Sequence, residues 1–164
     1  MLVETRSVPF FVYPYVFQSQ RAEFMRIVEE VGNRGAFIMQ RDMVSFETNL
    51  ARFVHATYAL GVGNATDGLH FAVRAAGIGA GDEVILSSHT MIATAAAVHF
   101  AGAIPVPVDC GADHLIDPAA VQAAVTSRTR AIMPTQLNGR TCNMDALQAI
   151  ADKSGLLIIE DAAQ

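Results

Sequence analysis

From Thr57 to Gln164 short apolar runs alternate with amphipathic stretches of roughly a dozen residues, and that rhythm leaves few folds open. "TYALGVGN" reads as a strand and "ATDGLHFAVRAAG" as a helix. In the latter, Leu69, Ala72, Val73 and Ala76 recur at i, i+3, i+4 and i+7, one helix face. Gly77 stands where a helix C-cap belongs. "DEVILSSH" is the next strand and "MIATAAAVHFAG" the next helix, ended by Gly102. "IPVPVDC" is a short strand whose two prolines cannot donate to a ladder, which places it at a sheet edge. "DPAAVQAAVTSR" starts a helix with Asp117 as N-cap and Pro118 at the first position. "TRAIMPTQ" is a strand, and "NMDALQAIADKSG" a helix with Leu147, Ile150 and Ala151 on its apolar face. The four apolar residues of "LLIIEDAAQ" predict a final buried strand with Glu160 and Asp161 at its C-terminal end.

Strands alternating with helices mean βαβ units, hence an α/β fold: a mostly parallel sheet with helices on both faces. Residues before 57 differ. "SQRAEFMRIVEEVGNRG" predicts a helix ending near Gly32 or Gly35. "DMVSFETNLARFVHA" predicts a second, with Phe46, Leu50, Phe53 and Val54 on one face. The expected organisation is a helical N-terminal lead-in over 1–56 and an α/β domain over 57–164.

Composition narrows the function. The formal net charge is -5 with 11 basic residues scattered along the chain, so no basic stripe marks a nucleic-acid binder. Cys110 and Cys142 form no CxxC pair, and a reduced, cytoplasmic setting is expected. No signal peptide is expected, because Glu4, Arg6 and the aromatic run from Pro9 to Phe17 lack a cleavage pattern. Residues 85–108 contain no Lys, Arg, Asp or Glu, but His89, His99, Gly102, Pro105 and Pro107 argue for strand–helix–strand over a membrane span. The chain is 52% hydrophobic and 16% charged, an apolar excess that suits a chain covered by further protein.

Two segments carry candidate chemistry. "GVGNATDG" lies at a strand-to-helix junction, where unpaired N–H groups and the helix dipole favour an anion. It is neither GxGxxG nor a Walker A loop. On spacing alone an ordinary N-cap through Asn64 or Thr66, with Asp67 favouring the dipole, is the more frequent arrangement, and a phosphate held at Thr66 is the alternative. "IEDAAQ" puts Asp161 at a strand end, where ligands bind in open α/β sheets. A buried Asp needs a partner, and a cationic ring nitrogen or the N-terminus of a following helix would each serve. The five histidines show no HxxxH spacing, and no metal site is expected. His70 and His99 read as structural, whereas His89, just past a strand end, faces the ligand region. No GxSxG or Ser/His/Asp arrangement occurs.

Taken in order, "FIMQRDMVSFE", "GVGNATDGL", "GIGAGDEVILSSHTMIATAAAV", "AGAIPVPVD", "TRAIMPTQLNGRTCNMDAL" and "GLLIIEDAAQ" resemble the DegT/DnrJ/EryC1/StrS aminotransferases, from about Gln20 to Gln164. These are pyridoxal 5'-phosphate (PLP) enzymes of fold type I, so the resemblance implies a partial PLP-binding large domain and, commonly, a homodimer. It implies that Ala65 and Thr66 hold the cofactor phosphate, which favours the phosphate reading of that turn. It further implies that Asp161 pairs with the pyridine nitrogen and keeps the ring an electron sink, and that Gln164 lies near the ring's phenolic oxygen. Where the family places an aromatic on the ring face stands Met91, whose thioether can cover it instead. "QLNGR", Gln136 to Arg140, replaces the family's "HLYGQ".

The resemblance also implies a lysine that holds the cofactor as an imine, in a Ser-x-x-Lys segment beyond Gln164. No residue of this chain takes that catalytic role, and Lys153, in the helix before the Asp161 strand, does not replace it. The chain therefore reads as the N-terminal half of an enzyme, inactive and poorly stable alone. The whole protein is expected to move an amino group, from glutamate, onto a keto-sugar nucleotide. A sugar 3-dehydrase, with histidine in place of that lysine, and a non-catalytic binding or dimerisation module are the alternatives.

Overall fold

The computed structural model describes residues 7–9 and 11–164. Glu4 and Arg6, and Phe10 of the aromatic run, lie outside the described residues. The chain divides into two compact units, one ending at Gly61 and one running from Val62 to Gln164.

The first unit holds α1 (Tyr13–Asn33) and α2 (Arg41–Phe53). Helix α1 begins earlier than its apolar periodicity suggests because Pro14 occupies its first turn, where a missing N–H costs nothing. Arg34, just past α1, pairs with Asp42 in the first turn of α2 at 2.8 Å. The expected apolar face of α2 is present but uncovered: Phe46 is 60% exposed and Phe53 82%. Helix α1 buries none of its residues.

The second unit runs α3 (Ala65–Ala75), β1 (Glu83–Ser87), α4 (Ile92–Phe100), β2 (Ile104–Val108), α5 (Pro118–Ala124), β3 (Thr129–Met133), α6 (Met144–Ser154) and β4 (Leu157–Ile158). The four strands are parallel, in the order β2-β1-β3-β4. The proline-bearing β2 takes an edge, as its missing donors require. Central β1 is buried along its whole length, so it reads as an unbroken apolar run.

Alternation along the strands builds two cores. Val84, Leu86, Ala131 and Met133 pack on one face with Leu69 and Val73 of α3 and Ala97 and Val98 of α4. Ile85 and Ile132 pack on the other with Val121 of α5 and Leu147 and Ile150 of α6. The helix ends follow the local chemistry: Asp117 accepts the Ala119 N–H, and Gly77 and Gly102 take positive φ just past α3 and α4.

Two expected strands differ. Residues 57–62 take no regular secondary structure and pair with no strand among the described residues, and Tyr58 and Leu60 are each 83% exposed. Strand propensity without a ladder partner does not make a strand. The "LLII" strand is not buried either. Among the described residues it pairs only with β3, and as the outer strand it leaves Leu157 half exposed.

Candidate functional site

The chain leaves β1 for α4 on one face and leaves β3 for α6 on the other, while β2 and β4 flank them. Neighbouring β1 and β3 therefore form the topological switch point, where α/β sheets open a crevice at their carboxyl ends.

After β1 the chain turns tightly. The Ser87 hydroxyl accepts the His89 N–H at 3.2 Å and lies the same distance from the His89 carbonyl oxygen. That turn delivers Thr90 and Met91 to the start of α4. After β3, Thr135 bridges to Asp161, whose N–H donates to the Pro134 carbonyl (2.9 Å) and whose own carbonyl accepts the Gln136 N–H (2.9 Å). Asp161 is thus pinned from both sides by the continuation of β3.

Asp161 is only 4% exposed. Thr94 Oγ1 donates to Asp161 Oδ2 at 2.6 Å, and the Ala163 N–H donates to Oδ1 at 3.2 Å. Thr90 Oγ1 lies 2.7 Å from Thr94 Oγ1 and 2.9 Å from Thr135 Oγ1. Each hydroxyl has one proton to give. With Thr94 donating to Asp161, Thr90 donates to Thr94 and Thr135 to Thr90, an ordered chain of hydroxyls ending on the carboxylate. Such chains reinforce each bond in them. No Lys, Arg or His among the described residues pairs with Asp161. A buried carboxylate with hydrogen bonds but no cation fits a cationic partner such as a protonated ring nitrogen.

Beside this network lies a cleft of about 260 Å³ lined by His89, Thr90, Met91, Leu137, Asn138 and Gln164. It brings together Met91 and Gln164, and Thr90 ties it to Asp161. His89 faces it, as the strand-end reading expects. Ala65 and Thr66 do not line it. At the start of α3 the cap is Asn64, which accepts the Asp67 N–H at 2.9 Å and donates to the Asp67 carboxylate at 2.8 Å. With the cap filled by Asn64, the half-buried Thr66 hydroxyl and the first N–H groups of α3 are left for an anion.

Sequence reasoning missed the threonines. Their signal is weak: Thr90 and Thr94 at i, i+4 just beyond a strand end. Gln136 was also unassigned. Its side-chain oxygen accepts the Cys142 N–H and its amide donates to Glu160, each at 2.7 Å, which locks the 136–142 turn. Burial pushes the Cys142 thiol up, which disfavours its thiolate form. Lys153 is exposed in the last turn of α6. No cluster of His, Cys, Asp or Glu among the described residues suits a metal ion, and no described helix is long and apolar enough to cross a membrane.

The sequence pattern of the DegT/DnrJ/EryC1/StrS aminotransferase family matches residues 18–164. A dTDP-3-amino-3,4,6-trideoxy-alpha-D-glucose transaminase of Streptomyces venezuelae is 43% identical over 98% of the chain, which spans 43% of that relative's length. The crystal structure of S. venezuelae DesV in complex with a ketimine intermediate superposes with a TM-score of 0.93 at 42% identity, over 98% of this chain and 43% of that one. NtdA of Bacillus subtilis with bound cofactor PMP superposes with a TM-score of 0.93 at 30% identity, over 99% of this chain and 38% of that one. The chain spans less than half the length of these relatives and, over nearly all of its own, belongs to the DegT/DnrJ/EryC1/StrS aminotransferase family.

Proposed function

We propose that this chain forms the cofactor-holding part of a PLP-dependent aminotransferase that passes an amino group, drawn from glutamate, to a keto-sugar nucleotide. The observation that carries the reading is the Asp161 carboxylate, buried, hydrogen-bonded and without a protein cation. In this reading Asp161 holds a proton on the cofactor's ring nitrogen, and the threonine chain orients the carboxylate toward that task. Met91 covers a ring face, Gln164 meets the phenolic oxygen, and the turn at Ala65 and Thr66 takes the phosphate. Bound there, PLP supplies the electron sink that amino transfer needs.

The amine that moves the proton between carbons is not assigned to any residue here. Lys153 sits on α6, exposed in its last turn, and lines none of the cleft. We place that amine outside residues 1–164, which leaves the isolated chain able to bind but not to turn over. A homodimer and a cytoplasmic setting belong to the same proposal. The uncovered apolar side chains of α1 and α2 support the former.

The test is a titration of the purified chain with PLP, followed by cofactor absorbance. Saturable binding that weakens in Asp161→Asn and with pyridoxal, which lacks the phosphate, supports the reading. Binding that is absent, or indifferent to both changes, contradicts it.

A further inference from the structure

A second cavity, of about 140 Å³, adjoins the cleft and shares His89, Leu137 and Asn138 with it. Its remaining lining is Asp113, His114, Leu115 and Arg140. Three observations set it apart from an ordinary surface dimple.

The first is donor chemistry. Arg140, on the 136–142 turn, lines this notch, and its Nη1 donates to the Asp113 carbonyl at 2.8 Å. That bond holds the guanidinium in place but leaves its charge uncompensated, since no carboxylate among the described residues pairs with it. The Asp113 carboxylate also lines the notch, with its Oδ1 accepting the Leu115 N–H at 3.0 Å and no ion pair to Arg140. A guanidinium fixed at one nitrogen still presents several N–H groups to a planar or tetrahedral anion.

The second is a fixed tautomer. His89 Nδ1 lies 3.1 Å from the His114 carbonyl oxygen. A carbonyl only accepts, so Nδ1 carries the proton and Nε2 is left bare on the neutral ring. The wall shared by the two cavities is therefore a positioned acceptor, suited to a hydroxyl.

The third is backbone. Four described non-glycine residues take positive φ, and two of them, His114 (φ 66°) and Asn138 (φ 54°), line this notch. Non-glycine residues in the left-handed region gather at ligand sites, where surrounding structure holds them in place.

We propose that this notch is the recognition subsite for the anionic group of the molecule that reacts at the cofactor cleft, with Arg140 as its principal donor, His114 alongside, and His89 Nε2 accepting from a neighbouring hydroxyl. The ligand chemistry is a carboxylate or phosphate carried a short distance from the reacting carbon. The inference rests on the reading of the adjoining cleft as the cofactor site. Two sources share that chemistry: the carboxylate of an amino-acid donor, and the phosphates of a sugar nucleotide.

The experiment titrates the 164-residue chain, free of cofactor, with L-glutamate and, separately, with inorganic pyrophosphate, following the Arg140 side-chain N–H and the His89 and His114 ring signals by NMR. One probe is expected to saturate those signals. Saturation by glutamate identifies the donor and by pyrophosphate the nucleotide; either supports the subsite. Arg140 is exposed, so Arg140→Gln should fold as the parent does and bind that probe about tenfold more weakly, the ~1.4 kcal/mol of one charge-assisted hydrogen bond. Arg140→Lys, which keeps the charge and loses the fork, should fall between the two. Saturation by neither probe, or equal binding by Arg140→Gln and the parent, overturns the proposal and leaves Arg140 as a staple between two loops. PLP absorbance on the same samples reads the cofactor site separately. Its loss with anion binding intact counts against the cofactor reading alone.

Discussion

Thr94 Oγ1 and Asp161 Oδ2 lie 2.6 Å apart although 67 residues separate them in the chain. The bond joins the first turn of α4 to the residue that β3 pins at the end of the last strand. It makes one hydroxyl answerable for a buried carboxylate.

Thr94→Val keeps the shape and removes the donor. The Asp161 oxygen it leaves unpaired should cost about 1–3 kcal/mol of stability by chemical denaturation, and PLP binding should weaken with it. Thr94→Ser restores the hydroxyl and should recover most of both. Recovery by neither measure would remove the hydroxyl chain from the account.

Met91 stands where an aromatic ring is expected and is 64% exposed, so a larger side chain meets little resistance there. Met91→Phe should tighten PLP binding by roughly 0.5–1.5 kcal/mol through stacking, read in the same absorbance titration. Unchanged affinity would place the ring elsewhere.

Glu83, at the start of β1, accepts from the Thr126 hydroxyl and pairs with Arg128, and these hold its carboxyl below the usual carboxylate range against the opposing effect of burial. The folded chain therefore binds this proton less readily than the unfolded chain. The stabilisation is present above the unfolded value of about 4.3 and is lost as pH falls through the lower folded value. Glu83→Gln should be less stable than the parent at neutral pH and should lose less stability on acidification. Identical acid profiles by circular dichroism would contradict this.

Leu147 is fully buried in the core between α6 and the sheet. Leu147→Ala should cost about 2–5 kcal/mol in denaturation. The exposed side chains of Phe46 and Phe53 predict that the parent chain self-associates as concentration rises, and that changing both to Ser reduces its sedimentation rate toward that of a monomer.

Much of the fold was legible because its determinants are local. Leu69 and Val73, or Leu147 and Ile150, announce a helix face by spacing, and Pro105 and Pro107 announce an edge. The misses are non-local. Whether residues 57–62 form a strand depends on a partner, and the burial of Leu157 depends on what lies outside β4. Asp161 is singled out by its place as a carboxylate at a strand end, and Met91 and Gln164 are singled out by the resemblance alone. Thr90, Thr94 and Thr135 meet only through the register of β1 beside β3, and Arg140 meets His114 only where two loops fold together. The first leaves only the i, i+4 spacing of Thr90 and Thr94, and the second leaves no mark in spacing.

The central claim is that Asp161 holds the proton of a bound pyridine ring. NMR of PLP labelled at its ring nitrogen, bound to the purified chain, reads that proton directly. The account predicts a protonated-nitrogen shift in the parent chain that moves to the unprotonated position in Asp161→Asn. An unprotonated ring in the parent, or a shift that ignores the substitution, would contradict it.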